Sequence, residues 1–204
     1  MSSAASLVLT CLIAMISQSN GLDSCPTIPT VDNFDLDKFS GIWYSIQESS
    51  PPRLPCLHYN LSHDGQTLMT QFLPYQVVLK ATPKDPQDYT KGFDMISNLN
   101  FLDKANWAIF DTDYNSYGAI YTCKITEKKD FRSITLWSRT KSLSPEAVTH
   151  IKAKLDQYNI PYDTLQLMTQ SAIPCQFSNL FLPPAMKLIS PFLTPLANYA
   201  TDHL

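Results

Sequence analysis

The sequence has little glycine, only 5 residues in 204, and charge of neither sign in excess, at a formal net charge of −3. The near balance gives no basic face for nucleic acid or for an anionic membrane surface. No apolar run reaches the roughly 20 residues that a bilayer-spanning helix needs. Cys-x-x-Cys and Cys/His clusters are missing, which argues against a zinc site. Gly-x-Ser-x-Gly and phosphate-binding loops are missing too. The histidines, His58, His63, His150 and His203, are scattered rather than grouped. No nucleophile or acid–base pair presents itself, so no catalytic residue is assigned and the reading is not an enzyme. No internal repeat is visible.

Present in quantity are proline, at 15 residues, and ten residues each of Tyr and Phe. Proline stiffens connections, and the aromatic residues favour strands. The length suits one domain. Ser6 to Ile16 is an apolar run of signal-peptide length, followed by small and polar residues from Ser17 to Gly21. Residues 1–21 are therefore expected to be a signal peptide, with the basic segment usual before such a run missing. Its removal takes Cys11 and leaves Cys25, Cys56, Cys123 and Cys175. An even count in a secreted chain implies a disulfide framework, with about three possible pairings. Asn60-Leu61-Ser62 is a glycosylation sequon, consistent with passage through the secretory route.

The middle of the chain is a succession of short β-forming runs. They are Gly41–Gln47, Leu57–Leu61, Thr67–Leu73, Val77–Ala81, Phe93–Ile96, Trp107–Phe110, Tyr117–Thr126 and Phe131–Arg139. Eight such runs separated by turn residues predict an antiparallel meander. One helix follows. Ser144 is its N-cap, Pro145 takes the first helical position and Glu146 faces the positive end of the dipole. Val148, Ile151, Leu155 and Tyr158 form one apolar stripe, so the helix should lie against an outer wall. Pro161 ends it, and a short strand is expected over Thr164–Met168. Residues 180–204 form an apolar tail broken by prolines, unlike the uninterrupted run of a lipid-anchor signal. Such a tail would pack on the domain or offer weak contact to a protein or membrane.

Three local motifs stand in order along this plan: Phe39-Ser40-Gly41-Ile42-Trp43-Tyr44 at the first strand, Thr112-Asp113-Tyr114 in a late turn, and Arg139 after the eighth run. Together they resemble the three signatures of the lipocalin family. Phe110–Tyr117, Tyr121-Thr122-Cys123, Ser144-Pro145-Glu146 and Thr169-Gln170 before Cys175 are similar to the subgroup of apolipoprotein D, Lazarillo and the insect bilin-binding proteins. The resemblance covers about Cys25 to Cys175. It implies an all-β fold: an eight-stranded antiparallel up-and-down calycin barrel with one α-helix packed outside. It makes residues 22–179 the lipocalin domain. It also implies the pairings Cys25–Cys123 and Cys56–Cys175.

The signature residues are expected to build the fold and not to act on a ligand. Trp43 should plug the closed end with Arg139 over its indole. Gly41 should allow close backbone passage, and Asp113 should bond its own turn. A barrel of eight strands has room for one small ligand. Alternation from Trp43 puts Ser45 and Gln47 inside, and alternation from Arg139 puts Trp137, Thr135 and Ser133 inside. The resemblance adds Trp107, which matches an aromatic ligand contact. It also marks Thr135 as a departure, because the subgroup can carry a ligand-stacking Trp there. Tyr75, Met69, Phe93 and Met95 complete the lining candidates; ordinary packing is the competing reading for each. The expected function is secreted, extracellular transport of a lipid, fatty acid, sterol, retinoid, bilin or carotenoid. No cofactor is required beyond such a passenger. The alternative is an interaction protein whose loops or tail engage a protein or membrane.

Overall fold

The structure, a computed structural model, describes residues 25–50, 55–73, 77–97, 104–125, 131–170 and 175. Nine strands form one sheet: β1 Gly41–Glu48, β2 His58–His63, β3 Leu68–Leu73, β4 Val77–Pro83, β5 Phe93–Ser97, β6 Ala105–Thr112, β7 Tyr117–Lys124, β8 Phe131–Ser138 and β9 Gln166–Leu167. Neighbouring strands pair antiparallel in chain order, and β1 pairs with both β8 and β2, which closes an eight-stranded barrel. Closure leaves no open edge among the eight strands. β9 extends the sheet beside the last residues of β1, pairing Gln47 with Leu167 and Glu48 with Gln166. Of the expected strand Thr164–Met168, only these two residues pair, because Tyr162–Thr164 forms a 3-10 turn.

The N-terminal segment closes one end. Thr30 and Val31 donate main-chain bonds to Thr90 and Ile109. A four-residue helix, α1 Leu36–Phe39, then delivers Phe39 beneath the barrel, capped by the Asp35 side chain accepting from Lys38 N. Phe39 packs 4.9 Å from Trp43 and 6.0 Å from Trp137, with Phe34 at 5.1 Å on its other side. Trp43 is fully buried and its indole N–H donates to Phe39 O at 2.7 Å. That bond satisfies the one polar atom of a large apolar plug.

The three signatures meet at this end. Arg139 lies 3.7 Å over the Trp43 ring and donates to the carbonyls of Lys38, Ile42 and Tyr114. Gly41, at φ +95°, sits under that guanidinium; a Cβ there would lie 3.4 Å from Arg139 Nη1. Asp113 accepts from the amides of Asn115, Ser116 and Tyr117 and from the Ser116 hydroxyl. Burial opposes its charge, yet these bonds win and hold its carboxyl below the ordinary value. Tyr114 takes φ +65° in the same turn, and its hydroxyl accepts from Asp35 N. The Thr-Asp-Tyr turn thereby ties the late strands to the N-terminal segment.

The long helix, α2 Pro145–Asp156, is capped by Ser144 Oγ accepting from Ala147 N. It buries Ala147, Ile151 and Leu155 against Phe110, Tyr121, Ile134 and Leu136 on the outside of β6–β8. Two disulfides fasten the ends: Cys25–Cys123 and Cys56–Cys175. The expected signal peptide, the tail 180–204 and Tyr75 lie outside the described residues. No described helix is long and apolar enough to cross a membrane.

Candidate functional site

The open end of the barrel leads to a cavity of about 160 Å3 above the aromatic plug. Its floor and one wall are rings: Tyr59, Phe72, Trp107 and Trp137. Tyr59 stacks on Trp137 at 4.3 Å and meets Phe72 edge-on at 4.8 Å. Trp107 stands 6.1 Å from Trp137. Ile120 and Met95 fill the gaps, and Thr70 is the polar group on that side. The facing wall, from β1, β7 and β8, carries Glu48, Thr122, Ser133 and Thr135, with Phe131 at the rim. Burial pushes the Tyr59 phenol above its usual pKa, and the nearby Glu48 charge adds to the shift.

Strand geometry explains these positions. Residues two apart share a face, so β8 sends Ser133, Thr135 and Trp137 inward together, and β3 sends Thr70 and Phe72. Trp107 is held by Phe93, whose ring lies 5.7 Å away at the closed end. Gly92 makes room behind it: at φ +74°, a Cβ there would stand 2.9 Å from Trp107 O.

The sequence candidates divide into three groups. Trp107, Thr135, Trp137 and Met95 line the cavity. Phe93 and Ser45 are fully buried but belong to the packing below it. The reading of Gln47 and Met69 as lining is corrected. A β-bulge in β1 slips the register between Ser45 and Gln47, where they pair with Trp137 and Leu136. The extra residue, Ile46, turns Gln47 outward and Glu48 inward. Gln47 then accepts from the Tyr162 hydroxyl at 2.5 Å on the outer wall. Met69 sits between the inward pair Leu68 and Thr70, so its side chain faces out between Ser62 and Lys80.

Sequence reasoning missed Tyr59, Phe72, Thr70, Ile120, Thr122 and Glu48. The alternation Leu68-x-Thr70-x-Phe72 would have found two of them; nothing in Ser45-Ile46-Gln47-Glu48 announces the bulge. Asn60 is exposed on β2, opposite Ile42 and Gln71.

A wider depression of about 600 Å3 runs along the outer wall beside β9, lined by Ile46, Gln47, Leu143, Tyr162, Leu167 and Met168 among others. It lacks the ring enclosure of the inner cavity. Among the described residues no group of three His, Cys, Asp or Glu side chains could hold a metal ion.

Comparison with known proteins agrees with this architecture. Residues 75–172 match the model of the lipocalin / cytosolic fatty-acid binding protein family. Apolipoprotein D of Bos taurus is 26% identical over 183 residues, covering 82% of this chain and 96% of its own. Among solved structures, insecticyanin from the tobacco hornworm Manduca sexta superposes with a TM-score of 0.60 at 20% identity, covering 74% of this chain and 89% of its own. A protein solved in complex with leukotriene C4 gives 0.52 at 19% identity, with coverage of 74% and 100%. The closed barrel with its outer helix, the family model matching residues 75–172 and the apolipoprotein D relatives along most of the chain agree: this chain has the lipocalin fold and is similar to the lipocalin family.

Proposed function

We propose that this protein is a secreted carrier that holds one small hydrophobic molecule inside its barrel. The observation that carries the reading is the inner cavity, walled by Tyr59, Phe72, Trp107 and Trp137 and open at one end. Small-ligand sites are concave and mostly apolar, with a few placed polar groups. Every 100 Å2 of apolar ligand surface buried there is worth about 2.5 kcal/mol before binding costs. A neighbour of the same fold was solved in complex with leukotriene C4, a small lipid, which is in keeping with this reading. Trp107, Thr135, Trp137 and Met95 are the ligand contacts proposed from both sequence and cavity.

Residues 1–21 act as a signal peptide in this reading, residues 22–179 form the carrier domain and residues 180–204 are an appended tail. The two disulfides suit an oxidising, extracellular setting, and the exposed Asn60 of the Asn-Leu-Ser sequon is the glycosylation site in this reading. The test is titration of intrinsic tryptophan fluorescence with retinol, a fatty acid, a sterol and biliverdin. Trp107 and Trp137 face the cavity, so a bound ligand quenches their emission with saturable 1:1 stoichiometry. A folded, disulfide-bonded protein that binds none of these contradicts the carrier reading.

A further inference from the structure

The floor of the barrel holds polar groups that the closed protein leaves unsatisfied. Three inward side chains meet there on adjacent strands. Ser45 of β1 pairs with Trp137 of β8. Tyr59 of β2 pairs with Trp43, two residues before Ser45 on the same face of β1. The Tyr59 ring stacks on Trp137 with centroids 4.3 Å apart, and Trp43 of the plug lies 6.4 Å from Trp137. All three residues are buried, at 0% exposure for Ser45, 4% for Tyr59 and 3% for Trp137. They stand at the plugged side of the cavity, away from its open end.

Ser45 Oγ and Trp137 Nε1 have no hydrogen-bond partner. Trp43 supplies the contrast, since its indole N–H donates to Phe39 O. A buried polar group left unpaired costs its full desolvation, and such groups are rare enough in native proteins that each needs a reason. Burial, and after it the Glu48 charge, push the Tyr59 phenol above its ordinary pKa against the opposing pull of the Ser45 and Trp137 side chains beside it. At neutral pH the phenol therefore keeps its proton.

The chemistry of the trio says what is missing. An indole N–H only donates, and each hydroxyl brings one hydrogen and one oxygen. Three donor hydrogens thus face two oxygens. Two hydroxyls do not donate to each other at once, so however the side chains turn, one hydrogen lacks an acceptor. The missing group is an oxygen. Tyr59 and Trp137 also line the cavity, so the inner end of a passenger is what brings an oxygen to them. The trio supplies no positive charge, and a buried carboxylate needs one.

Resting on the carrier reading, we propose that the Tyr59 hydroxyl, backed by Ser45 and Trp137, is the polar anchor of the cavity: the passenger is a hydrophobe tipped with one neutral oxygen, a ketone, aldehyde or alcohol, which enters oxygen-first and accepts a hydrogen bond from Tyr59.

The test uses the full mature chain and three probes on one skeleton: 4-phenylbutan-2-one, 4-phenylbutan-1-ol and butylbenzene, with each Kd from calorimetry. Tyr59→Phe removes the phenol oxygen and keeps the ring. It should weaken the ketone and the alcohol by about five- to tenfold while butylbenzene moves by less than about twofold. Each probe is compared with itself, so differences in water solubility cancel. Loss of ring packing alone would weaken all three probes alike. Ser45→Ala, a second variant that stands if Tyr59→Phe does not fold, should weaken the two oxygen-bearing probes by about threefold and leave butylbenzene unmoved. The infrared carbonyl stretch of the bound ketone should lie at lower wavenumber in the unaltered protein than in either variant. A resident water that takes the stray hydrogen in place of the ligand would leave the ratio of ketone to butylbenzene affinity and the carbonyl stretch unchanged in both variants, and that result overturns the proposal. Failure of the ketone and the alcohol to bind where retinol or palmitate does also overturns it, yet leaves the carrier reading standing. If retinol, the fatty acid, the sterol and biliverdin fail too, the carrier reading falls with it.

Discussion

Replacing Arg139 tests whether the closed end holds the barrel together. The guanidinium lies 3.7 Å over Trp43 and donates at 2.7 Å to Lys38 O and at 3.0 Å to Ile42 O and Tyr114 O. A hydrogen bond to a charged group contributes about 1.5–3 kcal/mol, and a cation–π contact about 0.5–2 kcal/mol depending on desolvation. The bonds to Lys38 O and Ile42 O are partly exposed, so water replaces much of what they supply. Counting the Tyr114 bond and the ring contact nearly in full and the other two at a fraction, Arg139→Met should cost about 3–4 kcal/mol. Arg139→Lys keeps the charge but has no planar fork to reach three carbonyls, and should cost about 2 kcal/mol. For a domain of this size each 1 kcal/mol moves Tm by about 2–4 °C. Arg139→Met should therefore melt about 6–16 °C lower. Urea unfolding followed by tryptophan emission measures this, with an unchanged m-value if only stability is altered. A lysine variant as stable as the parent would refute the reasoning, because it would show that charge near Trp43, not the three-carbonyl geometry, is what matters.

Other outcomes follow from single positions. Gly92→Ala adds a Cβ 2.9 Å from Trp107 O at a left-handed φ; it should destabilise by about 1–2 kcal/mol from the backbone alone and shift Trp107 emission. Removing the Cys25–Cys123 bridge, which spans 98 residues, should cost about 2–5 kcal/mol in chemical denaturation, and non-reducing peptide mapping should recover that pair. Asp111 lies beneath α2, where burial raises its pKa while His150 and Lys154 oppose the shift. A carboxyl whose folded pKa is raised costs stability when ionised, and that cost fades as pH falls through the folded value to the unfolded one. Asp111→Asn should therefore raise Tm at pH 7 and have no effect below the ordinary carboxylate range. Asp113 has the opposite sign: its lowered pKa supplies stability above the ordinary carboxylate value that is lost as pH falls through the folded one, so Asp113→Asn should destabilise at pH 7 only.

The fold was legible because its signals are local and repeated. Eight β-forming runs, a Ser-Pro-Glu helix start and three motifs in order all point to one architecture, and each motif residue has a contact that needs its own chemistry. Arg139 requires a fork, Trp43 a plug, and Asp113 a turn acceptor. The cavity was legible only where strands run without interruption. β8 keeps strict alternation, so Thr135 and Trp137 could be placed from Arg139 alone. β1 does not, because Ile46 is inserted against β8, and the pleat beyond it reverses. That one-residue slip exchanges Gln47 for Glu48, and with it the only charge in the described lining. Met69 is apolar, but it alternates with the inward Leu68 and Thr70 and so faces out. Tyr59 and Phe72 could have been found from β2–β3 pairing, where they face each other, but register across strands is not written in either strand alone.

The central claim is that the barrel interior is a binding site for one small hydrophobic molecule. Titrating the folded, disulfide-bonded protein with the ligand panel while following Trp107 and Trp137 emission tests it most directly. The account predicts saturable 1:1 quenching by at least one ligand, lost in Thr135→Trp with the fold intact. Quenching that survives Thr135→Trp undiminished would place the ligand outside the barrel and contradict the account.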